Sequence, residues 1–381
     1  MQTLIREATL VLPDRLIEGG WLLIEDTRIL ALGDAATCPA GADRVIPAGE
    51  DLLLPGLIDL HSDAIEKMAQ PRPNVQVDMP IPLLEMDWRL AGSGITTEFH
   101  ALSLDDAEFG IRSEDFIDQF VTALAATKSL LVRHRLHARL EITSDRGETA
   151  VAQLISSGTA QLVSLMDHTP GQGQYLTEQA YVEYITSTTA WSAVEVAEHL
   201  VQKRHQAQDN SGRVARTARL AQKHGVALAT HDDDSTAKVE EWSQLGVNIS
   251  EFPTTLVAAR RAKDAGLAVC MGAPNVLLGR SSGGHLSALE AIQAEAVDIL
   301  CADYYPRAML AAVFKLVNDG YCSLPHAASL VTVNPARAVK MARYGELAAG
   351  NVADVILIRQ HSATEQAVRM VIVDGQVRLS I

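Results

Sequence analysis

A (β/α)8 barrel (a TIM-type α/β barrel) carrying a small β-domain built from both chain ends is the fold that this sequence predicts. Three observations predict it. From residue 52 to residue 344, short apolar runs alternate with longer amphipathic stretches. Ligand-capable polar residues close several of these runs, and a barrel gathers its chemistry at the C-terminal ends of its strands. The two ends of the chain carry short β-like runs of a different character.

Residues 1–51 hold TLVL and GGWLLIEDTRILALG, and residues 345–381 hold NVADVILI and MVIVDGQVRL. Together they are expected to form one β-domain packed on the barrel of residues 52–344. In the second tail, Asp374-Gly375 between apolar runs predicts a hairpin turn. The eight barrel strands are expected at 54–63, 94–102, 134–142, 162–168, 225–233, 246–253, 266–274 and 297–306. Helix-period segments such as LSALEAIQAEA (286–296) lie between most of them. The connection from Thr169 to Gly225 is long and mostly helical in pattern (YLTEQAYVEYITST, SAVEVAEHLVQKRHQ, GRVARTARLAQKHG). It is either a lid or oligomer contact over the strand ends, or added scaffold helices.

At 381 residues the chain suits one large barrel with an appended domain. A net charge of −15 argues against non-specific nucleic-acid binding, and any polyanionic substrate would need a local basic pocket or metal ions. The four cysteines (Cys38, Cys270, Cys301, Cys322) form no CxxC pair and read as free thiols in a reducing cytoplasm. No apolar run reaches the roughly 18 residues of a membrane span, and MQTLIREATLVLPD lacks the apolar core of a signal peptide. A cytoplasmic protein with no membrane or nucleic-acid partner is expected. Homo-oligomerisation is compatible with the sequence but not readable from it.

The stretch PGLIDLHSDAIEK (55–67) ends an apolar run on His61-Ser62-Asp63. In a strand, residues two apart share a face, so an imidazole and a carboxylate would aim at one point, as a metal site requires. Its company adds weight: Glu141, His168, His231 and Asp303 each fall at or near the end of a separate later run. A single His or Asp at a strand end is more often a capping or hydrogen-bonding residue, but six at one end of a barrel point to metal. His100, ending TTEFHAL, reads as support for a ligand in preference to a ligand itself. RHRLHARLE puts Arg133, Arg135, His137, Arg139 and Glu141 on one face. Arg135 and Arg139 read as rungs of a buried ion-pair ladder with carboxylates more readily than as substrate ligands.

These residues, with the tail NPARAVKM…GELAAGNVADVILI…VIVDGQVR, resemble the amidohydrolase superfamily over nearly the whole chain. Within it, HSDAIEKMAQPRPN, HRLHARLE, LVSLMDHTPGQGQY, HDDDS, EFPTT, MGAPN and DYYP are similar to the PhnM family of phosphonate metabolism, in the C–P lyase pathway. The resemblance implies a hydrolase that releases diphosphate from the 5-triphosphate of ribose 1-methylphosphonate and leaves the 5-phosphate. Its partners would be a small phosphorylated substrate and other phosphonate-pathway enzymes. It also implies two divalent metal ions, Zn, Mn or Fe. His61 and Asp63 would hold one and His168 and His231 the other, Glu141 would bridge them, and Asp303 would lie beside the bridging water as general base.

Two features depart from the superfamily pattern. His-x-Asp stands where many relatives have His-x-His, and no lysine ends a middle strand to supply a carboxylated bridge; Lys128 in ALAATKSLL reads as helical. The later histidines fall on expected strands four and five, where the superfamily usually has them on five and six. The oxygen ligand Asp63 tilts metal choice toward Mn²⁺ or Fe²⁺, while imidazole still suits zinc.

For the phosphates, NVLLGRSSGGHLSALEA (275–291) is a Gly/Ser-rich loop running into a helix. Ser281, Ser282, Gly283, Gly284 and His285 would form an anion cradle with Arg280 beside it; a flexible loop with a serine N-cap is the other reading. Arg72 in QPRPN is a candidate to clamp a phosphonate. Tyr304 and Tyr305 either line the pocket or pack in the core. Two other functions compete: a C–N hydrolase acting on a cyclic amide or N-acetyl group with the same metals, and a non-catalytic scaffold, which the intact set of ligand-capable residues disfavours.

Overall fold

The structure is a computed structural model that describes residues 1–72, 75–104, 111–169, 177–188, 191–281 and 284–381. The N-terminal segment forms β1 (Gln2–Val11), β2 (Leu16–Glu25), β3 (Arg28–Gly33), β4 (Arg44–Pro47) and β5 (Leu52–Pro55). Eight further strands follow: β6 (Leu57–Ser62), β7 (Ile95–Leu104), β8 (Arg133–Glu141), β9 (Ala160–Met166), β10 (Ala227–His231), β11 (Ile249–Glu251), β12 (Ala268–Gly272) and β13 (Ile299–Cys301). The tail adds β14 (Val355–Gln360), β15 (Gln366–Val373) and β16 (Gln376–Ser380).

The two ends of the chain build one sheet in the order β16-β15-β14-β5-β1-β2-β3, with β4 also on β1. Its core includes Ile5, Leu10, Leu22, Leu53, Val355 and Ile372. The expected first barrel run began at residue 54, yet β5 belongs to this terminal sheet, parallel to β1 and antiparallel to β14. Gly56 marks the change of sheet. Its amide donates to the Asp354 carbonyl at 2.9 Å, and a Cβ there would collide with the Thr96 side chain. At the far end, Asp374 and Gly375 link β15 to β16 with φ of 50° and 71°, the type I′ geometry that Asp-Gly favours.

Strands β6 to β13 run parallel in chain order as an eight-stranded sheet that nearly closes into a barrel. It closes where β13 meets β6: the Asp63 amide donates to the Asp303 carbonyl at 2.9 Å, and the Asp303 amide to the His61 carbonyl at 2.8 Å. Ile58, Leu60, Phe99, Leu162, Ile249 and Ile299 pack together within it. Several connecting helices start on Ser113, Ser144, Ser235 or Thr255, whose hydroxyls accept the amide three residues on. Each such cap contributes about 1 kcal/mol.

The long connection is helical in three parts. Helices Glu178–Thr188 and Ala193–Gln206 pack on each other through Tyr181, Ile185, Val196 and Leu200. Helix Asn210–His224 lies against helix Asp145–Ser156, with Arg213 Nε 2.7 Å from Asp145 Oδ1 and Arg216 Nε 2.6 Å from Glu148 Oε1. That third helix is thus part of the ordinary barrel layer, and the addition is confined to the segment before it. Arg133 joins the barrel to the terminal sheet, 2.8 Å from Asp354 and 2.9 Å from Asp374. Among the described residues, no helix is long and apolar enough to cross a membrane.

Candidate active site

The barrel mouth is built from backbone turns that ordinary side chains avoid. Asp232, Phe252 and Asp303, following β10, β11 and β13, all have positive φ (57°, 51° and 57°). Such conformations cost free energy for non-glycine residues and persist where the surroundings over-determine them. Here a neighbouring strand does so. The amides of Asp232, Phe252 and Asp303 donate to the carbonyls of Glu251, Cys270 and His61 at 2.8–2.9 Å. Local sequence would not choose these turns; tertiary pairing holds them.

Two groups of donor atoms converge at the mouth. The first is His61, His231 and Glu251; the second is His168, His231 and Asp232, and within each the ligand-capable atoms lie within 4.8 Å of one another. His61 Nδ1 is 3.3 Å from Glu251 Oε2, and His231 Nδ1 is 3.0 Å from Asp232 Oδ2. Neither contact has hydrogen-bond alignment, and among the described residues both Glu251 oxygens lack a hydrogen-bond partner. Burial, reinforced by Arg139 and His231, holds the His61 imidazole well below its usual range, so it is neutral, the form a metal requires. Burial lifts the Glu251 carboxyl above its ordinary value. Burial would also lift Asp232, but the adjacent His231 reverses this and holds it at about 2. The neutral His61 imidazole, the His231 ring and the carboxylate oxygens of Glu251 and Asp232 together are a donor set that fits a divalent ion.

Of the residues singled out from sequence, His61, His168 and His231 meet in these groups. Glu141 is beside them: its Oε2 is 2.7 Å from His168 Nδ1, and its Oε1 accepts from the Thr143 hydroxyl and the His168 amide. Burial would raise the Glu141 carboxyl, yet Lys203 and His168 outweigh it and hold it at about 2. Lys203, only 1 % exposed, comes from helix Ala193–Gln206 and lies over the Tyr181 ring. The added segment therefore delivers a charge to the site. Its sequence offers no signal of this, since a lysine on an amphipathic helix normally faces water.

Asp63 is not extended as the shared-face argument assumed. It stands outside β6, ahead of the short helix Ala64–Ala69, with φ −101° and ψ 11°. Its carboxylate pairs at 3.0 Å with Arg112, which also holds Glu66. Asp303 is joined through its backbone to His61 and Asp63, and burial followed by the charge of Asp63 raises its carboxyl to about 6.

Among the described residues, Arg135 and Arg139 have no carboxylate within 4.0 Å, so the ion-pair ladder exists only at Arg133. Arg135 sits over the Phe99 ring, and Arg139 Nη2 is 3.2 Å from His231 Nε2, at the site itself. His100 does not support a ligand: its ring contacts His134 at 2.8 Å, and His134 in turn contacts Asp87. Arg72 and Arg280 are exposed, as is Gly284. Ser281 accepts from the His285 amide at 3.3 Å, while Ser282 and Gly283 lie outside the described residues. The next helix is Ala288–Gln293, so its N-terminus begins beyond this loop, and the Leu286 amide is tied to the Thr254 carbonyl. Tyr304 and Tyr305 are each 46 % exposed, which removes them from the core.

The family model for the amidohydrolase family matches residues 178–378. The chain belongs to the amidohydrolase family. A curated relative, alpha-D-ribose 1-methylphosphonate 5-triphosphate diphosphatase of Escherichia coli (strain K12), is 34 % identical over 364 residues, covering 93 % of this chain and 94 % of that one. Solved amidohydrolase-like structures share the fold at low identity. N-isopropylammelide isopropylaminohydrolase from Burkholderia multivorans is 18 % identical with a TM-score of 0.65, covering 99 % of this chain and 98 % of that one. Dihydropyrimidinase from Brevibacillus agri is 12 % identical with a TM-score of 0.65, covering 99 % and 95 %.

Proposed function

We propose that this protein is a metal-dependent diphosphatase that cleaves alpha-D-ribose 1-methylphosphonate 5-triphosphate to the 5-phosphate and diphosphate. The supporting observation with the greatest weight is the identity of 34 % across 93 % of the chain to the diphosphatase of that name. The chemistry of the barrel mouth agrees with it. His61, Asp63, Glu141, His168, His231 and Asp303 are the residues that would hold two divalent ions of Mn, Fe or Zn. Bound there, such ions would acidify water and neutralise charge on phosphoryl oxygens.

The protein's own groups supply the rest. Asp303, its carboxyl raised to about 6, accepts a proton from the attacking water as the anhydride bond to the leaving diphosphate breaks. Arg139 and Lys203 bring positive charge to the mouth of an otherwise acidic protein, which a triphosphate needs and a neutral cyclic amide does not. Arg72 and the Arg280–His285 loop are kept as candidates for the outer phosphates or the phosphonate. The protein would work on a small phosphorylated molecule in phosphonate catabolism.

The test is a substrate panel. Purified protein reloaded with Mn²⁺ should hydrolyse the ribose triphosphate and leave dihydropyrimidines and N-acetyl sugars untouched. Turnover of a cyclic amide without diphosphate release would transfer the chain to the C–N hydrolases.

A further inference from the structure

We propose that Glu251 is itself a metal ligand, completing with His61 and His231 an ion site that the sequence motifs do not reveal. This rests on the metal-dependent reading above. Glu251 is the last residue of β11, in register with His231 at the end of β10, and it is fully buried. Among the described residues, neither carboxylate oxygen has a hydrogen-bond partner. A buried carboxylate in that condition is strongly unfavourable unless a cation meets it.

The neighbours cannot relieve it. His137 Nε2 is 3.9 Å from Glu251 Oε2, but the His137 ring is committed elsewhere. Its Nδ1 is 2.9 Å from the Leu60 carbonyl, which can only accept, so Nδ1 carries the proton. In the neutral ring Nε2 then accepts from the Ser164 hydroxyl at 2.9 Å and turns a lone pair, not a proton, toward Glu251. His61 Nδ1, 3.3 Å from Glu251 Oε2, makes no aligned hydrogen bond. Donors held at about 2.1 Å from a common ion are separated by about 3–4 Å, the range this contact occupies. A buried carboxylate that receives no aligned hydrogen bond from the imidazoles around it describes a site for a cation.

The test uses full-length protein stripped by chelation and titrated with Mn²⁺ alone. Glu251→Gln keeps the shape and removes the charge, and it should weaken Mn²⁺ binding about 100-fold or abolish one binding event. A second variant, Glu251→Cys, supplies a thiolate at the same position. Loaded with Co²⁺, it should show a near-ultraviolet thiolate-to-cobalt charge-transfer band that the wild type lacks. That band decides the question if Glu251→Gln does not fold. Unchanged Mn²⁺ affinity and stoichiometry in Glu251→Gln, or Co²⁺ bound to Glu251→Cys with no band, would overturn the proposal and leave the diphosphatase reading standing. A wild type that binds no Mn²⁺ would contradict both.

Discussion

Asp59 Oδ1 accepts the backbone amide of Ala302 at 3.0 Å, across 243 residues of sequence. The same oxygen accepts the His61 amide at 3.2 Å, so one buried carboxyl ties the first barrel strand to the segment after the last and brings Asp303 beside His61. Burial raises this carboxyl to about 7, with the adjacent buried Glu98 also raised by burial and by Asp59.

A pH dependence follows from Asp59. Its folded value of about 7 lies above its unfolded value of about 3.8. Between those values the folded state binds the extra proton, so this group's contribution to stability falls as pH rises from about 4 to about 7. Asp59→Asn retains an acceptor oxygen for both amides. In chelated protein it should raise Tm at pH 8 and flatten the slope of Tm against pH through that window. An unaltered slope would show that Asp59 is ionised throughout.

Arg133 is the electrostatic link between barrel and terminal sheet. Asp354, only 7 % exposed, would be left without its cation in Arg133→Met. Breaking a buried pair from one side costs about 3 kcal/mol. Urea denaturation should show that loss, and adding Asp354→Asn should recover a large part of it. Equal stability of wild type and single variant would remove Arg133 from this role.

Lys203, together with His168, holds the Glu141 carboxyl below its ordinary range. In Lys203→Met one of the two groups that hold the Glu141 carboxyl down is gone, while His168 remains, so the carboxyl moves upward in part. The acid limb of kcat/KM for diphosphate release should therefore move to higher pH, with activity recovering as pH rises. A limb that stays in place would mean that Lys203 does not act through Glu141.

Much of this molecule was legible in its sequence for definite physical reasons. All eight barrel strands fall on expected runs; β9, β12 and β13 are largely apolar, as a parallel strand covered on both sides tends to be, whereas β8 alternates polar and apolar residues from Arg135 on. The Asp374-Gly375 turn was readable because few residue pairs accept two positive φ angles. His61, His168 and His231 were visible as ligand types at strand ends, but their grouping was not: the sequence set His61 with Asp63, whereas His61 lies with His231 and Glu251. Glu251 also ends an expected strand run, GVNISEFP, but nothing in that run sets its carboxylate apart from a capping residue. Asp63 was misjudged in geometry, since extending the strand period by one residue ignored the helix that starts at Ala64. Arg139 was assigned a carboxylate partner by the cost of burial alone, whereas its neighbour is His231, contributed by a distant strand. Lys203 and Arg112 reach their partners only through tertiary packing, which no local pattern encodes.

Product analysis is the decisive measurement for metal-dependent hydrolysis of a phosphoanhydride by this protein. Chelated protein should not consume ribose 1-methylphosphonate 5-triphosphate. Restoring Mn²⁺ should give diphosphate and the 5-phosphate in equal amounts, and Asp303→Asn should reduce the rate by about 10²–10⁴-fold while still binding Mn²⁺. Diphosphate release that survives chelation, or fully reloaded protein that leaves the triphosphate intact, would contradict the account.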